Sequence, residues 1–188
     1  MKKAYVFLAE GFEEIEALTP VDILRRGGVD VTTLSVTGQR AVTSSHQVTV
    51  LADALMEEAD LESADLLVLP GGMPGSAHLN AHEAVRGALT RHAAAGKVIG
   101  AICAAPMVLG SLGLLRGRRA TCSPGFEEWL EGATCTGELV TTDGPFITGK
   151  GPGAAMPFAY TLLSLFVPEE EVRTLQGKMQ FLQLIGRE

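Results

Sequence analysis

The strongest chemical signature in this chain of 188 residues belongs to Cys103. It ends the apolar run Val98-Ile99-Gly100-Ala101-Ile102 and precedes Ala104-Ala105-Pro106, so a thiol stands where a buried strand gives way to a helix. At such a nucleophile elbow the backbone is held in strained geometry, and residues two before and two after the nucleophile must be small. Ala101 and Ala105 meet that need. The first N–H groups of a helix lack intrahelical partners, so the Ala104 N–H becomes a candidate oxyanion donor. The helix start should also lower the thiol pKa from its usual value of about 8.5. Without this context Cys103 reads as an ordinary buried cysteine, a frequent fate of that residue type.

Two further features could cooperate with the thiol. The segment Leu69-Pro70-Gly71-Gly72-Met73-Pro74-Gly75 is a strand end opening into a glycine-rich loop, where backbone can approach a ligand closely. The Gly72 N–H is then a second oxyanion donor beside Ala104; the alternative is a plain tight turn. Glu10, Glu13, Glu14 and Glu16 form an acidic run of the kind that suits a solvated first helical turn. Glu16 is distinct because Pro20 follows four residues later and cannot donate to its carbonyl, so the helix should kink there or begin later. Buried beside the elbow, a Glu16 carboxyl keeps its proton and can give it to, or take it from, a reacting group. Exposed, it is one more helix charge.

Other candidates carry less. Gly149-Lys150-Gly151-Pro152-Gly153 leaves an anion site open at the following helix start but lacks the Gly-Lys-Ser/Thr ending of a Walker loop. His46, His78, His82 and His92 show no metal-ligand spacing with the cysteines and read as surface or capping residues, so no metal is expected. Cys122 and Cys135 follow no buried strand into a helix and read as packing or incidental exposure.

The elements that must position these residues can be read from periodicity. Strands are expected over Lys3 to Ala9, Asp30 to Val36, Gln47 to Leu51, Leu66 to Leu69, Val98 to Ile102, Arg119 to Cys122, Leu139 to Thr142 and Pro145 to Thr148. Helices are expected over about Glu13 to Arg26, Ala81 to Ala95, Pro106 to Leu115, Ala154 to Phe166 and Glu169 to Ile185. The second and third strands would form a hairpin or an excursion across the polar connection Thr37 to Ser45. Strands apolar on both faces and separated by helices imply an α/β fold with a mostly parallel sheet, helices on both faces, and ligands at the carboxyl ends of the strands. No repeat or linker interrupts residues 1–188, so a single domain is expected.

Composition excludes several function classes. The net charge is −7, with no basic cluster beyond Arg116-Gly117-Arg118-Arg119, which gives a nucleic-acid backbone little reason to bind. The first apolar run soon meets Glu10, Glu13 and Glu14, so neither a signal peptide nor a membrane span is expected. Three cysteines without an export signal suggest reduced thiols and a cytoplasmic protein.

Taken together, Ala9-Glu10-Gly11-Phe12-Glu13-Glu14-Ile15-Glu16, Pro20-Val21-Asp22, Leu69-Pro70-Gly71-Gly72, Ala101-Ile102-Cys103-Ala104-Ala105-Pro106 and Gly151-Pro152-Gly153 resemble the ThiJ/PfpI family. Within it the chain is most similar to the branch of the Parkinson's-disease-linked protein deglycase. The resemblance runs from the first strand to the last helices. It implies a flavodoxin-like three-layer sandwich of the class I glutamine-amidotransferase type, a homodimer and no cofactor, with Cys103 as catalytic cysteine and Glu16 as its carboxyl partner.

It also implies action on reactive dicarbonyls such as methylglyoxal and glyoxal, or on their early adducts with proteins or nucleotides. The alternatives are redox sensing or chaperone activity through Cys103 oxidation, and a hydrolase or transferase of a small-molecule pathway carrying a thiamine-related label. Ala104 departs from the histidine that protease-like members carry after the cysteine, which argues against peptidase chemistry. Ser123 departs from the histidine of the human-type deglycase. The resemblance further places His46, Arg26, Gly71 and Ser123 as candidate substrate contacts.

Overall fold

Local sequence and sheet order together explain why distant residues converge. The structure is a computed structural model and describes residues 2–186. In chain order the strands are β1 (Lys3–Leu8), β2 (Asp30–Ser35), β3 (Ala41–Thr43), β4 (Thr49–Leu51), β5 (Ala54–Leu55), β6 (Leu66–Leu69), β7 (Val98–Ile102), β8 (Arg119–Ala120), β9 (Thr134–Cys135), β10 (Val140–Asp143) and β11 (Phe146–Gly149). The helices are α1 (Glu14–Arg26), α2 (Gly75–Ala81), α3 (Glu83–Ala94), α4 (Pro106–Ser111), α5 (Ala155–Leu163), α6 (Glu169–Lys178) and α7 (Phe181–Leu184).

Seven strands form one sheet in the order β10-β11-β7-β6-β1-β2-β5, parallel throughout except for the β10–β11 pair. Side chains on a strand alternate between faces, and β1 shows the consequence. Ala4, Val6 and Leu8 enter one core with Ile23 and Leu24 of α1 and Phe158 and Leu162 of α5. Tyr5 and Phe7 enter the opposite core with Leu79 of α2, Leu89 of α3 and Leu109 of α4. The fold is therefore a flavodoxin-like three-layer sandwich with a mostly parallel sheet.

The chain places β2 on one side of β1 and later returns to the other side as β6. Successive connections thus diverge between β1 and β6, leaving a crevice at the carboxyl ends of the strands. Glu16 follows β1, Gly71 follows β6 and Cys103 follows β7, so three neighbouring strands deliver the three candidate residues to one edge.

Several sequence expectations need correction. The hairpin forms between β3 and β4, so the connection between Thr37 and Ser45 contains a strand of its own, short and polar enough to escape period-2 detection. A helix, α2, precedes α3, and β9 pairs with β8. The expected terminal helix divides into α6 and α7 because Gln180 adopts a left-handed φ of 62°. Pro20 does not delay α1, which runs through it, leaving the Glu16 carbonyl without the N–H that any other residue would supply. Among the described residues, no helix is long and apolar enough to cross a membrane.

Candidate active site

Cys103 is one of three non-glycine residues with a left-handed φ among the described residues, at 64°. Left-handed geometry costs an L-residue roughly 1–2 kcal/mol, so the surrounding structure must enforce it. Two hydrogen bonds do so: the Cys103 N–H donates to the Gly149 carbonyl of β11 at 2.8 Å, and the Cys103 carbonyl accepts the Ser123 N–H at 2.8 Å. The elbow thus presents a partly buried thiol above the sheet edge. The neighbouring Ala104 N–H and Ser123 side chain act to favour the thiolate.

These donors do not prevail. The thiol is pushed up to about 11, first by burial and then by the charge and hydrogen bonding of Glu16. The sequence expectation of a depressed thiol is therefore corrected: α4 is a short helix whose start sits in a desolvated pocket facing a carboxyl group, and desolvation outweighs its N–H groups.

Glu16 is fully buried. Its Oε2 accepts the Gly71 N–H at 2.9 Å, whereas Oε1 is buried with no hydrogen-bond partner among the described residues. Burial pushes this carboxyl up to about 7, with the Cys103 hydrogen bond and the Glu13 charge as further influences. Two groups that interact this strongly share their protons and titrate as a pair. With the proton on Glu16, its repulsion of the thiolate disappears and a hydrogen bond replaces it.

Gly71 lies where these groups meet: a Cβ there would stand 2.5 Å from Glu16 Oε2 and 2.6 Å from Cys103 Cβ. Gly72, at φ +88°, turns its carbonyl to the Ser76 N–H at 2.8 Å. The Gly72 N–H has no acceptor among the described residues. A Cβ on Gly72 would lie 2.5 Å from the Glu13 nitrogen, so the loop packs backbone against backbone on the chain entering α1.

The remaining candidates separate. Ser123 is at the site. His46 reaches its rim through the carboxylates, with Nδ1 3.1 Å from Glu14 and 3.9 Å from Glu13 Oε1. Its hydrogen bond to Glu14 and that residue's charge push the His46 pKa up. Arg26 does not join them. It closes the far end of α1, about 15 Å along the helix from Glu16, pairs with Asp22 at 2.8 Å and borders a separate concavity of about 470 Å³ with Gly27, Leu163 and Lys178.

The histidine and cysteine expectations divide as well. His82 caps α3 by accepting the Val85 N–H, while His92 is neither surface nor cap: it is buried against the Val98 carbonyl. Cys122 is buried and Cys135 exposed.

Sequence reasoning missed Glu13, grouped with the solvated acids but only 5% exposed. Its position just before the first helical residue, with Glu16 three residues on, was the available signal. Glu13, Glu14 and His46 each offer one possible ligand atom, all within 4.8 Å of one another. His46 and Glu14 already satisfy each other there, and we assign no metal to the set.

A cysteine on a nucleophile elbow, a buried carboxyl with a free oxygen beside it, and the unpaired Gly72 N–H of a second strand loop define a cysteine–carboxyl site at the switch point of a flavodoxin-like sheet. Residues 2–165 match the DJ-1/PfpI family, and the chain belongs to that family. It is 37% identical over 180 residues to DJ-1 homolog B of Arabidopsis thaliana, covering 95% of this chain and 41% of that protein. The chain therefore spans less than half the length of that relative. A deglycase of Pyrococcus abyssi is 33% identical over 154 residues, 80% of this chain and 91% of the relative. The crystal structure of a cysteine-to-alanine mutant of a DJ-1 superfamily protein from Salmonella typhimurium superposes with a TM-score of 0.91 at 42% identity, covering 96% of this chain and 98% of that one.

Proposed function

We propose that the protein is a cofactor-independent cysteine enzyme that acts on reactive dicarbonyls or their early adducts. The observation that carries this reading is the buried, unpartnered Glu16 Oε1 beside the Cys103 thiol. A carboxyl that holds its proton near neutral pH can serve first as acid and then as base.

With methylglyoxal, the pair reacts in its singly protonated form, with the proton on Glu16: the Cys103 thiolate adds to the aldehyde carbon and the carbonyl oxygen takes the negative charge beside the Ala104 and Gly72 N–H groups. Glu16 gives its proton to that oxygen. The resulting carboxylate removes the proton from the former aldehyde carbon and returns it to the neighbouring carbon, leaving a lactate thioester on Cys103. Water cleaves the thioester with Glu16 taking up its proton, which restores the Cys103 thiolate and the protonated carboxyl and releases lactate. Ser123 and His46 border the path and are substrate contacts in this reading; Arg26 is not.

Lactate formation from methylglyoxal tests it. Cys103→Ser is expected to abolish turnover, and Glu16→Gln to reduce kcat by roughly a hundredfold or more. Full activity in Cys103→Ser would refute the mechanism. A redox-sensing role draws on the same geometry, because a protonated Glu16 can donate to an oxygen added on sulfur. Peroxide treatment followed by intact mass and peptide mapping separates the two: two oxygens confined to Cys103, without lactate formation in the untreated protein, would favour sensing.

We also propose that the enzyme works as a homodimer through α1 and the β3–β4 hairpin. Ile15 and Leu51 are 52% and 77% exposed there, beside exposed Leu18 and Val48.

A further inference from the structure

We propose that Glu13 is a positioning residue for this site, holding the Glu16 backbone and keeping the shared proton of the Cys103–Glu16 pair on Glu16. This rests on the cysteine–carboxyl reading above but not on any particular substrate.

The geometry is a closed ring of three hydrogen bonds. Glu13 Oε2 accepts the Glu16 N–H at 2.7 Å, the Glu13 N–H donates to the Gly71 carbonyl at 2.9 Å, and the Gly71 N–H donates to Glu16 Oε2 at 2.9 Å. Glu13 therefore secures Glu16 at its backbone directly and at its carboxyl through Gly71. A cap that served only the helix would be satisfied by an exposed serine or asparagine. A buried carboxylate adds a second effect: its charge stands behind Glu16 and opposes ionisation there.

The charged and titratable neighbours are few. Glu14 and Glu16 share α1 with Glu13, His46 faces it from the turn between β3 and β4, and Cys103 faces Glu16 from the end of β7. His46 is two-thirds exposed at 3.9 Å and offsets the Glu13 charge only in part. Glu13 contacts the Glu16 backbone and Gly71, whereas the influences on Cys103 are burial, Glu16, Ser123 and the Ala104 N–H. The charge therefore acts on one member of the pair more than on the other, biasing where the proton resides.

The rate of Cys103 alkylation by iodoacetamide, followed against pH by peptide mass mapping, reads this bias. In the wild-type protein the rate should rise with pH, level off as Glu16 ionises, and rise again only as the thiol itself ionises. Glu13→Gln keeps an acceptor oxygen for the cap but removes the charge. It is expected to shift that midpoint to lower pH and to lower the plateau roughly three- to tenfold, with the acid limb unchanged. Glu13→Asp, which keeps the charge, should retain the wild-type midpoint.

A Glu13→Gln profile superimposable on wild type would overturn the proposal. A Glu16→Gln profile with the wild-type midpoint and plateau would overturn the cysteine–carboxyl reading, and this inference with it. Should Glu13→Gln fail to fold, carboxyl 13C NMR titration of the wild-type protein decides. Reciprocal inflections of Glu13 and Glu16 support the coupling, and independent single titrations refute it.

Discussion

At the scale of single residues, burial makes both Cys103 and Glu16 poor acids, and each group's charge opposes ionisation of the other. Glu16 has a folded pKa raised to about 7 from 4.5, so folding favours its protonated form. Below the unfolded value both states are protonated and Glu16 costs nothing. As pH rises from about 4.5 to about 7, the native state is progressively penalised, by an amount on the order of 3 kcal/mol once both pKa values are passed. Glu16→Gln should therefore be more stable than wild type at pH 8 and close to it at pH 4.5, measured by urea unfolding at both. The same substitution removes the proton carrier, so stability rises while turnover falls. Gly71 tests the packing of the pair: with a Cβ 2.5 Å from Glu16 Oε2 and 2.6 Å from Cys103 Cβ, Gly71→Ala should cost about 1–3 kcal/mol in urea unfolding and slow Cys103 alkylation.

At the scale of elements, the elbow depends on what lies under it. Phe158 of α5 is fully buried against the sheet, and a Cβ on Gly149 would stand 2.8 Å from Ile102 and 3.2 Å from Phe158. The β7–β11 contact that supplies the Cys103 N–H with its acceptor is thus seated on α5. Phe158→Ala should lower stability by about 3–5 kcal/mol, read from the urea midpoint with an unchanged m-value.

How far these elements could be read in advance follows from their amphipathic contrast. β1, β6 and β7 are apolar on both faces, so composition alone revealed them, and α1 and α5 carry long one-sided apolar patterns. β3, α2 and β9 are short or polar and owe their form to tertiary hydrogen bonds, which no local pattern encodes. The left-handed Gln180 that splits the terminal helix is likewise invisible to periodicity.

At the scale of the whole molecule, Ile15, Leu18, Val48 and Leu51 leave apolar surface on α1 and the hairpin. If a second copy covers it, Leu51→Glu should shift the protein from dimer to monomer in size-exclusion chromatography with light scattering, while the isolated chain stays folded. An unchanged dimer would direct attention to the groove between α5 and α7 lined by Tyr160, Phe181 and Leu184.

By itself the sequence made the elbow at Cys103 and the glycine loop legible, while Glu16 stood out from the other acids only through Pro20 and the family resemblance. The elbow and the loop depend on residue types within a few positions of one another, where sterics and hydrogen-bonding capacity are local properties. Tertiary structure alone decided the burial of Glu16 and Glu13 and the approach of Glu16 to Cys103. Desolvation and charge coupling depend on which strands are neighbours in space, and the β7-β6-β1 order that sets those neighbours is not written in any one segment.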